Sequence, residues 1–186
     1  MKKLIFTFII ALIAVLNIQA QTEKPIRKGF TAGAFVGVGA LHFTEGMSEK
    51  ATRGGISLPN LKMGWFVSPR TAIYVNTVGQ IYESEGVDRS FEGIVPSIQF
   101  WATDKWWLSG GYGASLDTRA LYESKSQSRK SDWGKGVLLA TGYELLQRER
   151  WALDLQTRLY MARVSRDEGG NLDGTNFSIG VGISLF

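Results

Sequence analysis

The stretch Phe177-Ser178-Ile179-Gly180-Val181-Gly182-Ile183-Ser184-Leu185-Phe186 carries the pattern on which the rest of the chain is built. Side chains of an extended backbone alternate between two faces. Phe177, Ile179, Val181, Ile183 and Leu185 therefore share one face, and Ser178, Gly180, Gly182 and Ser184 share the other. The apolar face is bulky and continuous, whereas the opposite face is too small to fill a dry core. A water-soluble barrel needs large apolar groups inside and charge outside. This strand has the inverse sense, which suits a wall whose outer solvent is hydrocarbon.

The same alternation recurs upstream. Leu153, Leu155, Leu159 and Met161 oppose Asp154, Gln156 and Arg158; Leu61, Met63 and Trp65 oppose Asn60, Lys62 and Gly64. Leu108, Tyr112 and Leu116 oppose Ser109, Gly111, Gly113 and Ser115. Ala32, Ala34, Val36 and Val38 oppose Gly33, Gly37 and Gly39, with Phe35 interrupting the small series. One segment stays undecided, since Ile73 and Val75 compete with Tyr74 and Val78 for the outer face. The pattern predicts eight strands, over 29–43, 55–67, 71–84, 90–102, 106–121, 134–146, 151–164 and 174–186. An even number lets an antiparallel sheet close with both ends on one side, so the expected fold is all-β, an eight-stranded antiparallel up-and-down transmembrane β-barrel.

The connections sort into two kinds. Ser68-Pro69-Arg70, Thr103-Asp104-Lys105 and Gln147-Arg148-Glu149-Arg150 are short, while 44–54, 85–89, 122–133 and 165–173 are generally longer and more polar. Short turns at the periplasmic end and longer loops outside are the expected asymmetry of an outer-membrane barrel. Trp65, Trp101, Trp106, Trp107 and Trp151 all sit beside the three short turns and are expected to form a periplasmic aromatic belt. Tyr82, Tyr122 and Trp133 are placed to contribute to the opposite belt.

The beginning of the chain adds the route. Lys2 and Lys3 precede an apolar run from Leu4 to Leu16, and Ile18-Gln19-Ala20 offers a small residue for cleavage, so residues 1–20 read as a secretory signal. That run is shorter than the roughly 20 residues that span a bilayer as a helix. Residues 21–28 follow as a short polar leader, and 29–186 as the barrel domain. Loss of the signal removes two lysines and leaves 166 residues with a formal charge of +2 in place of +4. Near-neutral charge argues against a nucleic-acid partner. The chain has no cysteine and one histidine, which excludes a thiol nucleophile, a disulfide scaffold and a Cys- or His-rich metal site within one chain. No cofactor is expected.

Alternating strands, short turns, a signal segment, the glycine-rich ends GAFVGVGA and FSIGVGISLF and a final Phe together resemble the small outer-membrane β-barrel family, of the transmembrane type associated with OmpA and OmpX. The resemblance covers the mature chain and rests on architecture. It implies a monomer integral to the bacterial outer membrane with both termini periplasmic. The partners it implies are outer-membrane lipids and lipopolysaccharide, the barrel-assembly machinery during insertion, and an extracellular ligand through the longer loops. One departure concerns the terminal aromatic, which in that family commonly joins the outward series. Here Leu185 continues the apolar series and Phe186 falls among the polar positions, unless a late bulge shifts it.

Lys62, Glu144, Asp154 and Arg158 are the candidate lumen charges, with Glu92 at odds with the outward series of Ile94 and Ile98. Eight strands leave an interior that side chains can fill, so these charges are expected to pair as Lys/Arg with carboxylate. The alternatives are a narrow ion path through the same four residues, or outer-leaflet lipid chemistry using His42 as base, Glu45 to orient it and Ser48 or Ser90 as nucleophile. No local combination matches the motifs of the lipid deacylase or palmitoyltransferase families. The expected role is envelope-structural or surface-interacting, without an assigned reaction. The loop from Glu123 to Asp132 sets Lys125, Arg129 and Lys130 against two acids, and offers a weak contact for lipopolysaccharide phosphates.

Overall fold

A computed structural model describes residues 25–46, 52–57, 60–84, 86–120, 122, 131–166 and 169–186. Among them are nine strands: β1 (Gly29–Glu45), β2 (Thr52–Ser57), β3 (Leu61–Ser68), β4 (Thr71–Ser84), β5 (Val87–Trp101), β6 (Trp106–Arg119), β7 (Asp132–Arg148), β8 (Trp151–Ser165) and β9 (Asn171–Leu185). Each pairs antiparallel with its neighbours, and β1 with β9 closes the ring. The ring has eight staves because β2 and β3 are successive parts of one of them. β2 pairs with β1 from Gly37 to His42 and β3 with β1 from Gly29 to Ala34. The expected single strand 55–67 is thus divided. At the division the Asn60 amide donates to Ser57 O at 2.8 Å, and the Phe35 N–H donates to Asn60 O at 2.8 Å, so the interrupted ladder regains partners.

The register fixes the size of the barrel. From Thr31 the pairing runs through Gly64, Tyr74, Ser97, Gly111, Leu138, Tyr160 and Asn176 and returns to β1 at Leu41, ten residues beyond its start (41 minus 31). With eight staves that stagger tilts the strands by about 40° and gives a backbone radius of about 8 Å. The interior is therefore wide enough for side chains and too narrow for an open water column.

The inverse polarity holds around the wall. Phe177, Ile179, Val181, Ile183 and Leu185 are all exposed, and Ser178 and Ser184 are buried. Lys62, Asp154, Gln156 and Arg158 are buried while Leu61, Met63, Trp65, Leu155 and Met161 face out. The undecided segment settles in β4 with Ile73 and Val75 outward and Tyr74 and Val78 inward, where the Tyr74 hydroxyl meets Thr31 Oγ1 at 3.1 Å. Glu92 shares the outward series of Ile94 and Ile98, so it leaves the set of lumen charges. Phe35 points inward, into the space left by its glycine neighbours. Phe186 keeps its inward parity without a bulge, packing edge-on against Phe66 at 5.7 Å beside Trp101.

Two of the five tryptophans expected in the periplasmic belt are elsewhere. Trp65 and Trp106 are exposed and Trp151 half-buried on the outer face, but Trp101 and Trp107 are fully buried inside. Parity requires this, since Trp101 continues the inward series of Ser97 and Gln99, and Trp107 that of Ser115. The Trp107 ring lies over Gly142, where an added Cβ would come within 2.4 Å of it. Tyr82 is likewise inside the wall and not in the opposite belt, while Tyr122 and Trp133 are exposed.

Both described ends of the chain meet at the short-turn rim. The Ile26 N–H donates to Glu149 O at 3.0 Å and the Phe186 N–H to Arg150 O at 2.9 Å. The proposed signal segment lies outside the described residues.

Candidate functional site

The lumen is the candidate site, and its lowest layer is built on Glu144. A register shift between Glu144 and Leu146 in the β7–β8 ladder breaks the alternation, so that Glu144 and Gln147, three residues apart, both turn inward. The Glu144 carboxylate accepts from Trp101 Nε1 at 2.6 Å, from Gln147 Nε2 at 2.7 Å and from Arg27 Nη2 at 2.9 Å. The Arg27 guanidinium also donates to Asp104 O at 2.6 Å and lies 4.8 Å from the Trp101 ring centroid. Arg27 precedes β1, in the segment expected to be a short polar leader, and it is buried and plugs the short-turn end. Sequence reasoning missed it. The signal was the parity of β1, whose inward series Phe35, Gly33 and Thr31 extends back to Arg27.

Above this layer stand Asp154, Lys62 and Arg158. Asp154 accepts from Trp107 Nε1 at 3.1 Å and from Gln156 Nε2 at 2.6 Å. Gln156 Oε1 accepts from Arg158 Nε at 3.1 Å and Nη2 at 2.9 Å. The amide thereby joins carboxylate to guanidinium. Asp154 and Arg158 lie four positions apart on one strand, about 13 Å along it, which no direct ion pair can bridge. Lys62 Nζ donates to Gln99 Oε1 at 3.2 Å and lies 5.0 and 5.1 Å from the Tyr74 and Trp107 ring centroids. Arg158 Nη1 donates to Asn60 Oδ1 at 3.3 Å, and its guanidinium lies 4.4 Å from the Phe35 ring centroid.

The four residues singled out in the sequence are therefore all inside the barrel, but the direct Lys/Arg-to-carboxylate contacts expected among them do not form. The ion pair of the lower lumen is Arg27–Glu144. Charge elsewhere is carried by amides and aromatic faces, the cheaper arrangement when strand geometry holds the charges apart. Gln99 Nε2, Gln80 Oε1 and both amide atoms of Asn176 are buried without a partner among the described residues, so the polar lining has positions that favour internal water.

Toward the loop end the lumen turns apolar. Leu41, Phe43, Val78, Phe91, Val95, Leu138, Tyr160 and their neighbours form one buried cluster across the interior. Above it Asp117 accepts from Tyr82 Oη at 2.8 Å and from Arg89 Nη2 at 2.7 Å. An ion crossing the described interior would have to displace this apolar layer and shed its hydration there.

Among the described residues the alternative catalytic group is not assembled. His42 is exposed on the outer face of β1, with Nδ1 3.0 Å from Thr52 Oγ1, whereas Ser90 is buried on β5, in the series of Glu92 and Ile94 and on a strand that does not pair with β1. Ser48 lies outside the described residues, as does the loop from Glu123 to Lys130. Among the described residues no group of three or more His, Cys, Asp or Glu is arranged to hold a metal ion.

The fold is that of a small outer-membrane β-barrel, an eight-stave antiparallel ring. No family model matches the chain, and no curated protein matches it in sequence. Similar solved structures include Neisserial surface protein A, with 19% sequence identity and a TM-score of 0.58 over 84% of this chain and 96% of that one. Another is Ail, the attachment invasion locus protein of Yersinia pestis, solved alone and with the heparin analogue sucrose octasulfate. It is 14% identical, with a TM-score of 0.53, over 84% of this chain and 99% of that one. At these identities the likeness is one of fold.

Proposed function

We propose that this chain is a monomeric integral protein of the bacterial outer membrane, with a role in envelope structure or surface interaction and no reaction of its own. The observation that carries this reading is the polarity of the wall: large apolar side chains exposed all round, charged and amide side chains buried within. In water that arrangement would leave an apolar surface far larger than a soluble monomer tolerates. In a bilayer it is the ordinary one, because the outer face meets hydrocarbon and a closed ring of strands pairs its backbone groups from stave to stave.

In this reading residues 1–20 are a cleaved signal, the short turns and both termini face the periplasm, and the longer loops reach outward, where an extracellular ligand would be met. The barrel-assembly machinery inserts the chain, and lipopolysaccharide surrounds its outer half. Trp65, Trp106 and Trp151 supply the periplasmic aromatic belt. Lys62, Glu144, Asp154 and Arg158 act as a packed polar core and not as a gate, a role supported by the apolar layer above them.

The test is gel migration of protein from an outer-membrane fraction, with and without boiling. A closed barrel resists detergent until heated, so two mobilities are expected. One mobility together with recovery only in the soluble periplasmic fraction would overturn the reading.

A further inference from the structure

Beneath the apolar cluster the charges buried in the lumen do not sum to zero. Arg27, Lys62 and Arg158 stand there against Glu144 and Asp154, three cations to two carboxylates among the described residues. Nearer the loops Arg89 and Asp117 cancel each other, so the whole buried set keeps one positive charge in excess. A surplus charge inside a wall surrounded by hydrocarbon retains its desolvation cost until a charge of opposite sign joins it. Glu144 is already paired with Arg27. Asp154 holds Gln156 Nε2 on one oxygen and Trp107 Nε1 on the other, and among the described residues it forms no ion pair with Lys62 or Arg158.

The hydrogen-bond donors locate the surplus. Arg158 uses three of its five N–H groups, on Gln156 Oε1 and Asn60 Oδ1, and Lys62 uses one of three, on Gln99 Oε1. Asn60 and Lys62 are successive inward residues of one stave, about 7 Å apart along it, so the guanidinium that reaches Asn60 from β8 lies on the loop side of the lysine. Gln99 Nε2, on the amide that accepts from Lys62, is buried without a partner among the described residues. The Phe35, Tyr74 and Trp107 rings face the two cations, but a ring quadrupole leaves the net charge as it was. Lys62, Arg158 and Gln99 thus bring together N–H donors that lack an acceptor. Water would add two hydrogens of its own and no charge, whereas an anion accepts only and cancels the excess.

We propose that the lumen binds one small monovalent inorganic anion, a halide such as chloride, between the Arg158 guanidinium and the Lys62 ammonium, with the Gln99 amide as a further donor. Charge sets the valence, since a divalent oxyanion would replace an excess of one positive charge by an excess of one negative. Space sets the size, because the lysine stem already lies against Gly33, where an added Cβ would come within 2.7 Å of Lys62 Cε. Arg27 plugs one end of the lumen and the apolar cluster closes the other, so the anion is taken up as the barrel folds. The inference rests on the packed polar core given above and supplies it with a resident ligand.

The test is urea unfolding of the full mature chain in phosphatidylcholine vesicles while sodium chloride replaces sodium gluconate at constant ionic strength. An anion that binds only the folded barrel raises the folding equilibrium constant about tenfold for each tenfold rise in chloride above its dissociation constant. That slope is expected in the parent and is expected to vanish in Lys62→Met and in Arg158→Met, each of which removes the surplus charge. Arg163→Gln, on the outer wall, is expected to keep the parental slope. Crystals grown in sodium bromide and measured at the bromine absorption edge give the position, with one anomalous peak expected between Arg158 and Lys62. A flat response in the folded parent, as water in the same place would give, an equal slope in both methionine variants, or bromide sites confined to the outer surface would overturn the proposal. If neither methionine variant folds, the parental slope and the bromide position decide. Each sample is first checked for heat-dependent migration, so a folded parent without the slope defeats this site alone, whereas loss of heat-dependent migration in the parent defeats the barrel reading itself.

Discussion

Glu144→Ala is expected to lower the stability of the folded barrel by about 3–5 kcal/mol, read from urea unfolding in lipid vesicles. The side chain accepts three hydrogen bonds inside the wall; its removal takes the acceptor from the Trp101 N–H and the anionic partner from the Arg27 guanidinium, and leaves Arg27 and the Gln147 amide only Asp104 O. The large term is the stranded cation, since a buried charge that loses its partner keeps its desolvation cost. Two comparisons separate this from loss of packing. Glu144→Gln retains one acceptor oxygen and is expected to fall between the parent and the alanine variant. Arg27→Met combined with Glu144→Leu removes both charges and is expected to recover most of the loss. If Glu144→Ala is within about 0.5 kcal/mol of the parent, the range of an ordinary surface substitution, the lower lumen is hydrated and the packed account of it is wrong.

Val181→Arg is expected to cost about 2–4 kcal/mol in the same measurement, because Val181 stands near the middle of the outward series of β9, where hydrocarbon surrounds it. Leu185→Arg, on the same face but paired with Trp151 at the short-turn rim, is expected to cost about 0–1 kcal/mol. The difference between two chemically matched substitutions on one strand is the informative quantity. A surface facing water would show no such dependence on depth.

Period-two reading carried the sequence a long way. It places Asp154, Gln156 and Arg158 inside and Phe177, Ile179, Val181, Ile183 and Leu185 outside without reference to any relative, because in a closed wall each residue has one choice of face. Nearness to turns misplaces Trp101 and Trp107, whose parity puts them inside. Their indoles go inside because the lumen offers what a buried N–H requires, a carboxylate acceptor, at Glu144 and Asp154. Parity could also have found Arg27, four residues before Thr31 on the same face.

Two features were not legible. The register shift at Glu144 and Leu146 puts Gln147 inside against the alternation, and nothing local in Glu144-Leu145-Leu146-Gln147 announces a bulge. The second is the joining of Asp154 to Arg158 through Gln156. Composition supplies equal numbers of plausible ion pairs, but only the three-dimensional register shows which charges can touch.

The central claim is that the outer face meets lipid while the inner face is packed. Because the chain has no cysteine, single cysteines at successive positions from Phe177 to Ser184 can each carry a nitroxide spin label in the protein reconstituted into vesicles. Collisional access to oxygen, which concentrates in hydrocarbon, is then compared with access to a water-soluble nickel chelate. The account predicts high oxygen and low nickel access at 177, 179, 181 and 183, and low access to both reagents at 178, 180, 182 and 184. Nickel access at 177, 179, 181 and 183 equal to that of an exposed loop position would contradict it.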